Sequence, residues 1–353
     1  MLPRLVVLAL ALVLFPRISA ADEPAASQDA LREAVEKSLP LLTAGARGHR
    51  ENRTCFACHN QGVPILALTA AKSRGFAIDE EELGRQLQFI ADFLAKNREQ
   101  YLQGKGQGGQ ADTAGYALLT LEAGGWQPDG TTAAVAEYLL QRHDDKSHWT
   151  STSNRPPSEA SPFTTSYLAL RGLDTYWTPE QLVRVGLRRR RVRQWLVDTP
   201  AKDHEDRVFR LLALRQVKAL PNEIAAAAQE LTGKQRPDGG WAQLDSLDSE
   251  KDQSAAATES DAYATGTALV ALHQAGGLAT KGPVYQRGLR YLLDTQQADG
   301  SWHVASRSKP FQAYFETGFP HGKDQFISCG ASAWATLALV LGCEESALKE
   351  SSQ

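Results

Sequence analysis

The sequence contains little sulfur and only one long apolar run. Met1 is its only methionine, and its four cysteines form one close pair, Cys55 and Cys58, and two distant single residues, Cys329 and Cys343. This spacing differs from the array of paired cysteines that is typical of small disulfide-rich domains. The two single cysteines flank one predicted helix and would lie about 21 Å apart along it, too far for a disulfide. We therefore expect both to be buried core thiols.

The long apolar run lies at the start of the chain. Arg4 supplies a positive charge, residues 5–15 are almost wholly apolar, and Ile18-Ser19-Ala20 offers a small-residue cleavage site. This order is typical of a secretory signal peptide over residues 1–20. Since no comparable run recurs, no integral membrane segment is expected after cleavage. The mature protein should be soluble and either periplasmic or secreted.

Neither sign of charge dominates. The formal net charge is -3, and it becomes -5 without residues 1–20, which contain two arginines and no acid. Such a balance gives no reason to expect nucleic acid or an anionic membrane as a partner. The basic run Arg188–Arg191, with Arg193, lies on a predicted outer helix, where it suits a solvated face or the docking of an acidic redox partner.

A short apolar helical motif recurs every 45 to 70 residues, which is the repeat length of a supersecondary unit. Alanine and leucine dominate it, so each copy should be a helix buried on most sides. The copies cover residues 64–68, 115–119, 167–170, 209–214, 266–272 and 334–339.

Amphipathic stretches alternate with these copies and predict outer helices. They cover residues 31–42, 82–94, 133–141, 179–197, 223–231 and 285–295. Twelve alternating helices predict an all-α (α/α)6 toroid over residues 21–347, followed by a polar tail over 348–353.

A second pattern links the outer helices to the inner ones and resembles the repeat motif of squalene cyclases. The full motif is a basic-small pair, an aromatic-aliphatic pair, then Gln, Gly and Trp, and two partial copies keep the last spacing. The residues are Arg287-Gly288, Tyr291-Leu292, Gln296, Gly300 and Trp302; Gln235, Gly239 and Trp241; and His143, Ser147 and Trp149. The resemblance implies the toroid of the terpenoid cyclase and protein prenyltransferase superfamily, with this motif as structural glue.

The catalytic motifs of that superfamily are not found. There is no Asp-x-Asp-Asp tetrad for alkene protonation, and Asp144-Asp145 is not followed by the third aspartate of a diphosphate-binding motif. Cys329 lacks the aspartate two residues away that the zinc of prenyltransferases requires. Whether the chain is an enzyme therefore stays open at this point.

The pentapeptide Cys55-Phe56-Ala57-Cys58-His59 matches the attachment signature of c-type haem. Two thiols one helical turn apart can reach the vinyl groups, and His59 can bind the iron as proximal ligand. Three alternatives remain open: a redox-active disulfide, zinc held by Cys55, Cys58 and histidines, and inert thiols. The chain resembles exported bacterial proteins that combine such a peptide with a cyclase-like toroid, which implies a haem but no substrate.

Seven of the eight histidines fall in or beside outer-to-inner connections, so they should surround one mouth of the ring. Because the mature chain has no methionine, His321 and His303, in the long insertion between Trp302 and Ser328, are the candidate distal ligands. Four further residues precede inner helices and are candidate cavity residues: Asp261, Tyr263, Asp206 and Arg155. Helix capping is the alternative role of the two aspartates.

These observations predict a periplasmic c-type haem protein for electron transfer or small-ligand redox chemistry, served by a redox partner protein. The alternatives are a protein or cyclase-like enzyme that holds an isoprenoid or other apolar small molecule in the toroid, and a zinc-binding repeat scaffold.

Overall fold

A computed structural model of the chain describes residues 25–247, 255–310 and 312–344. The predicted signal peptide (1–20) and polar tail (348–353) lie outside these ranges. The described residues form thirteen α-helices: α1 Gln28–Asn52, α2 Val63–Ser73, α3 Glu80–Lys96, α4 Arg98–Leu102, α5 Gln110–Ala123, α6 Gly130–Gln141, α7 Pro162–Tyr176, α8 Leu182–Asp198, α9 His204–Gln216, α10 Pro221–Thr232, α11 Ala262–Gln274, α12 Pro283–Thr295 and α13 Gln325–Gly342.

Shorter elements lie between the helices. A π-helical turn spans Cys58–Gly62, and 3-10 turns span Pro179–Gln181, Ala255–Thr258 and Gly322–Asp324. Strand β1, Trp241–Ala242, pairs antiparallel with β2, Ser260–Asp261.

Six helices form the inner ring, in the order α2, α5, α7, α9, α11 and α13, and each contacts the next. The ring closes because α13 packs against α2 and α1. Helices α1, α3, α6, α8, α10 and α12 lie outside it, and α4 is an additional short helix against α6. The predicted (α/α)6 toroid is confirmed, and every predicted inner and outer stretch lies in the corresponding helix except residues 179–181, which form a 3-10 turn before α8.

Small residues allow the inner helices to approach closely. A Cβ atom on Gly266 of α11 would lie 2.6 Å from the backbone of Trp334 on α13. The same holds on the other side of the ring, where a Cβ on Gly115 would lie 2.6 Å from the side chain of Leu168. The alanine-rich and glycine-rich repeat is therefore a packing requirement, since interiors leave no room for an added methyl group.

The linking motif ties each outer helix to the connection that follows it. The indole N–H groups of Trp149, Trp241 and Trp302 each donate to a backbone carbonyl ten residues earlier, at 2.8 to 2.9 Å. Gln296 donates to the carbonyl oxygens of Ala34 and Gly300 and so joins the last repeat to the first helix. The motif is structural glue, as the resemblance implied.

The basic run on α8 is less solvated than predicted. Arg188 is 3% exposed, and it donates to the carbonyl oxygens of Arg142 and Lys146. Arg189 pairs with Asp174, and Arg193 pairs with Glu223. Most of this run therefore binds neighbouring helices and loops of the same chain.

Among the described residues, one segment, Gly322–Gly342, is long and apolar enough to cross a membrane by length and composition. In the structure 83% of that apolar window is buried inside the protein. It contains α13, which is an inner helix of the ring. Cys329 and Cys343 are buried free thiols, as predicted.

Candidate functional site

The connections that enter the inner helices meet at one end of the toroid, which we call the mouth. The segment after Trp302 crosses this end: Arg307 donates to Gln243, and Ser308 donates to the carbonyl oxygen of Pro156. Loops from three different repeats therefore contact one another here, which sequence separations of 64 and 152 residues could not reveal.

The Cys-x-x-Cys-His peptide enters the mouth just before α2. Cys55 is exposed and lies in a bend, whereas Cys58 is buried and opens the π-helical turn. The two thiols therefore do not share one helical turn, contrary to the expectation from their spacing. His49, at the end of α1, holds the peptide, because its Nε2 lies 2.8 Å from the carbonyl oxygen of Cys55.

A carboxylate from a distant loop reaches the same peptide. The Cys58 thiol donates to Glu159 Oε1 at 2.8 Å, and Cys58 Sγ lies 3.2 Å from Nδ1 of His59. One ligand atom from each of these three residues lies within 4.8 Å of the other two. Glu159 is 6% exposed, and its other oxygen accepts a hydrogen bond from Arg155.

Burial controls the protonation of this cluster. It raises the pKa of the Cys58 thiol well above its ordinary value, and the charge of Glu159 raises it further. Burial also lowers the pKa of His59, although Glu159 opposes that shift. Without a cation the folded cluster thus favours a neutral thiol and a neutral imidazole.

The residues around the peptide do not fit a porphyrin as they are folded. A covalent haem needs both thiols and the His59 ring to face one open space. Instead, Nε2 of His59 lies 3.2 Å from Ser158 Oγ, and the Cys58 thiol faces Glu159. A haem would have to displace the segment 155–161.

The two candidate distal ligands lie beside each other. The rings of His303 and His321 are 4.9 Å apart. His303 Nε2 lies 2.9 Å from a carboxylate oxygen of Asp324, and His321 Nε2 lies 2.8 Å from Ser301 Oγ. These contacts give both rings local partners in the segment that crosses the mouth.

A cavity of about 360 Å³ opens beside the cluster. The segment that carries Glu159 and the start of α9 both contribute to its lining. Phe163 and Trp195 supply an aromatic surface, with ring centroids 4.5 Å apart, and His148 stacks on Trp195 at 4.0 Å. Polar lining comes from Asp203, His204, Glu205, Asp206, Gln243, Lys202 and Arg307.

Glu205 is the notable group in this cavity because it is a buried carboxyl without a cationic partner among its described hydrogen bonds. Thr164 Oγ1 lies 2.9 Å from one carboxyl oxygen, and the Tyr263 hydroxyl lies 3.1 Å from the other. Burial raises the pKa of Glu205 well above its ordinary value, and the charge of Asp203 adds to the shift. Burial therefore favours the protonated form of the Glu205 carboxyl.

Of the four candidate cavity residues, one lines the cavity and three lie elsewhere. Asp206 lines the cavity and accepts from the Ser161 hydroxyl at 2.6 Å, while Asp203 is the N-cap of α9. Asp261, Tyr263 and Arg155 are not in the cavity lining. Asp261 caps α11, Tyr263 contacts Glu205, and Arg155 contacts Glu159.

Sequence reasoning missed the two carboxyl groups that define the site. Asp203-His204-Glu205-Asp206 differs from Asp-x-Asp-Asp only by glutamate at the third position, so a search that allowed either acid would have found it. Glu159 had no such signal, because it meets Cys58 across 101 residues.

Comparison with known proteins supports the fold. The profile of the squalene-hopene cyclase C-terminal domain matches residues 206–329, about a third of the chain. A search of curated proteins gave no match.

Three solved structures share the architecture. A variant of the type II terpene cyclase MstE from Scytonema, in complex with geranylgeranyl dihydroxybenzoate, has a TM-score of 0.58 at 14% identity, covering 89% of this chain and 97% of that one. A protein from Actinoplanes has a TM-score of 0.57 at 14% identity, with coverages of 88% and 99%. A glycosyl hydrolase of family 88 from Bacteroides vulgatus has a TM-score of 0.52 at 15% identity, with coverages of 90% and 99%. The chain therefore has the α/α toroid fold of the terpenoid cyclase superfamily, and at these identities the likeness establishes the fold alone.

Proposed function

We propose that the protein is a cyclase-like enzyme that binds a small apolar, unsaturated molecule in the cavity at the mouth and protonates it with Glu205. The observation that carries this proposal is a buried carboxyl, Glu205, that lines a cavity with aromatic walls and whose protonated form is favoured by burial. A raised pKa in a cleft is a general marker of acid catalysis. The cavity lies near the small end of the range for small-molecule sites, which is about 300–1,000 Å³.

Each part of the cavity has a role in such a reaction. The proton of Glu205 moves to one carbon of the double bond, which leaves a cation on the other carbon and a carboxylate on Glu205. Phe163 and Trp195 supply the aromatic part of the lining near which this cation would form. Loss of a proton from the cation to water gives the neutral product, and the carboxylate regains a proton from solvent. Thr164 and Tyr263 hold the carboxyl in place throughout.

The fold adds support of a coarser kind. The type II terpene cyclase named above is an enzyme of this architecture, and its complex contains a geranylgeranyl compound. That ligand belongs to that enzyme, and our proposal for this chain rests on its own cavity and acid.

Deuterium incorporation tests the proposal. The purified protein is incubated in D₂O with geraniol, farnesol and geranylgeraniol, and products are analysed by mass spectrometry. We expect a product that carries one carbon-bound deuterium with at least one of these probes. Glu205→Gln keeps the size of the side chain but has no acidic proton, so it should lose at least about 10²-fold in rate. Glu99→Gln, at an exposed position on α4, is the matched control and should keep the rate.

Two results would contradict the proposal. One is the absence of deuterium in every recovered probe. The other is equal product formation by wild type and Glu205→Gln, which would remove Glu205 from the chemistry.

Electron transfer through a covalently attached haem is the competing proposal. Its support is the Cys55–His59 peptide and the predicted export of the chain. The contacts of Ser158 and Glu159 argue against it, because they fill the space beside His59 and Cys58. A Soret band retained after acid-acetone extraction, from protein matured with haem-attachment machinery, would favour the haem.

Export is itself a proposal. Its basis is the charged and apolar start of the chain, residues 1–20. N-terminal sequencing of protein recovered from the periplasm or medium should begin at residue 21. Recovery of only the uncleaved chain from the cytoplasm would contradict it.

A further inference from the structure

The cluster at the start of α2 has the composition and spacing of a metal centre. Zinc forms bonds of about 2.3 Å to sulfur and 2.0–2.2 Å to nitrogen or oxygen, so tetrahedral ligand atoms lie about 3.5 Å apart. Cys58 Sγ lies 2.8 Å from Glu159 Oε1 and 3.2 Å from His59 Nδ1. An ion would fit among the three side chains if Cys58 Sγ moved away from Glu159 Oε1 by about 0.7 Å and from His59 Nδ1 by about 0.3 Å.

Neighbouring groups already orient two of these ligands. Ser158 Oγ lies 3.2 Å from Nε2 of His59, which leaves Nδ1 directed toward Cys58. Arg155 holds one oxygen of Glu159, and the other oxygen faces the thiol. Partners of this kind on the remote atom of each ligand are characteristic of metal sites.

Burial explains why an ion would be retained. Cys58 and Glu159 are each 6% exposed, and Arg155 pairs with the carboxylate of Glu159, so a thiolate beside that carboxylate would be costly without a second cation. A divalent ion neutralises both negative ligands together. Softness favours zinc over magnesium or calcium, because a thiolate and an imidazole are poor ligands for hard cations.

We propose that Cys58, His59 and Glu159 bind one divalent transition-metal ion, most simply Zn²⁺, with the fourth position open to water. Cys55 is exposed and lies outside the cluster, so it is not a ligand. Three protein ligands and one open position are the pattern of catalytic rather than structural zinc sites. The site is distinct from the acid Glu205 and does not depend on the proposed protonation reaction.

Cobalt and zinc are the probes that test this site. The full chain is produced without haem-attachment machinery, stripped with a chelator, and titrated with Zn²⁺ or Co²⁺. We expect one equivalent of zinc by mass spectrometry of the metal. We also expect a thiolate-to-cobalt absorption band that zinc abolishes. The cobalt spectrum of the wild-type chain requires no variant, so it remains informative if a substitution prevents folding.

Four variants locate the ligands. Cys58→Ser and Glu159→Gln should weaken zinc binding by at least about 100-fold, because each removes a ligand, and Ser158→Ala by about tenfold, because it removes an orienting partner. Cys55→Ser is the matched control and should bind zinc as wild type does. Circular dichroism at 222 nm verifies that each variant is folded.

Three results would overturn the proposal. The first is a wild-type chain that binds neither metal. The second is a loss of zinc binding in Cys55→Ser as large as in Cys58→Ser, which would show that the third ligand is Cys55 and not Glu159. The third is a mass increase equal to one haem in protein matured with attachment machinery, abolished only when both cysteines are replaced.

Discussion

Asp112, at the start of α5, should make the stability of the protein depend on pH in a specific direction. Its carboxyl is 1% exposed and accepts from the hydroxyl groups of Thr165 at 2.5 Å and Ser151 at 2.6 Å. Ser151 also donates to the carbonyl oxygen of Glu159, so Asp112 anchors the segment that forms the cavity wall. Burial raises the pKa of Asp112 from 3.8 to about 6, although the two hydroxyl groups oppose the shift.

The sign and size of this pH dependence follow from the protonation of Asp112 in the folded and unfolded chain. Asp112 titrates near 3.8 in the unfolded chain and at about 6 in the folded chain. Between these values the unfolded chain releases a proton that the folded chain keeps, so the free energy of unfolding falls as pH rises. One pKa unit corresponds to about 1.4 kcal/mol, so the full shift is worth about 3 kcal/mol. Above pH 6 this contribution levels off.

Asp112→Asn isolates this contribution because asparagine does not titrate. Urea unfolding of wild type and variant at pH 4 and pH 7 gives two differences in the free energy of unfolding. The difference should move in favour of the variant by about 2.4 kcal/mol between pH 4 and pH 7, because Asp112 is already partly ionised in the unfolded chain at pH 4. Asp92→Asn, at an exposed position on α3, is the control and should follow wild type at both values. A constant Asp112→Asn difference would refute the reasoning.

Two further predictions concern the toroid. Trp302→Phe removes the indole N–H that donates to Leu292, so we expect the free energy of unfolding in urea to fall by about 1–3 kcal/mol. Its control is Trp177→Phe, at a position that is 38% exposed, which should change the free energy of unfolding by less than about 0.5 kcal/mol. Gly266→Ala places a methyl group against the backbone of α13 and should cost about 1–3 kcal/mol, whereas Gly84→Ala, with open space around it, should stabilise α3 by about 0.5–1 kcal/mol. Equal melting temperatures for Gly266→Ala and wild type, or a destabilised Gly84→Ala, would contradict this packing.

The architecture could be predicted from sequence because it repeats. Three patterns recur along the chain: the apolar helical motif, the amphipathic stretches and the linking motif. Each copy of a pattern therefore supports the assignment of the other copies. Gln296 and Trp302 were identified from the linking motif, and in the structure both donate hydrogen bonds to backbone carbonyl oxygens. The repeat reveals such residues even where the contact is distant in sequence, as between Gln296 and Ala34, which are 262 residues apart.

The site could be predicted only in part, because its members come from different repeats. The peptide at Cys55–His59 was visible as a motif, but its spacing alone could not distinguish a porphyrin from a small ion. The choice between a porphyrin and a small ion depends on the contact of Cys58 with Glu159, which lies 101 residues away in the sequence. Glu205 was passed over because the pattern sought required aspartate, and its raised pKa arises from burial at the mouth, which no local sequence pattern reports.

The central claim of this account is that Glu205 carries a proton at neutral pH where it faces the cavity. Infrared difference spectroscopy of wild type and Glu205→Gln at pH 7 measures this directly. The account predicts a carbonyl-stretch band of a protonated carboxylic acid that is present in wild type, shifts in D₂O and is missing in the variant. A difference spectrum that shows only the bands of an ionised carboxylate would contradict it.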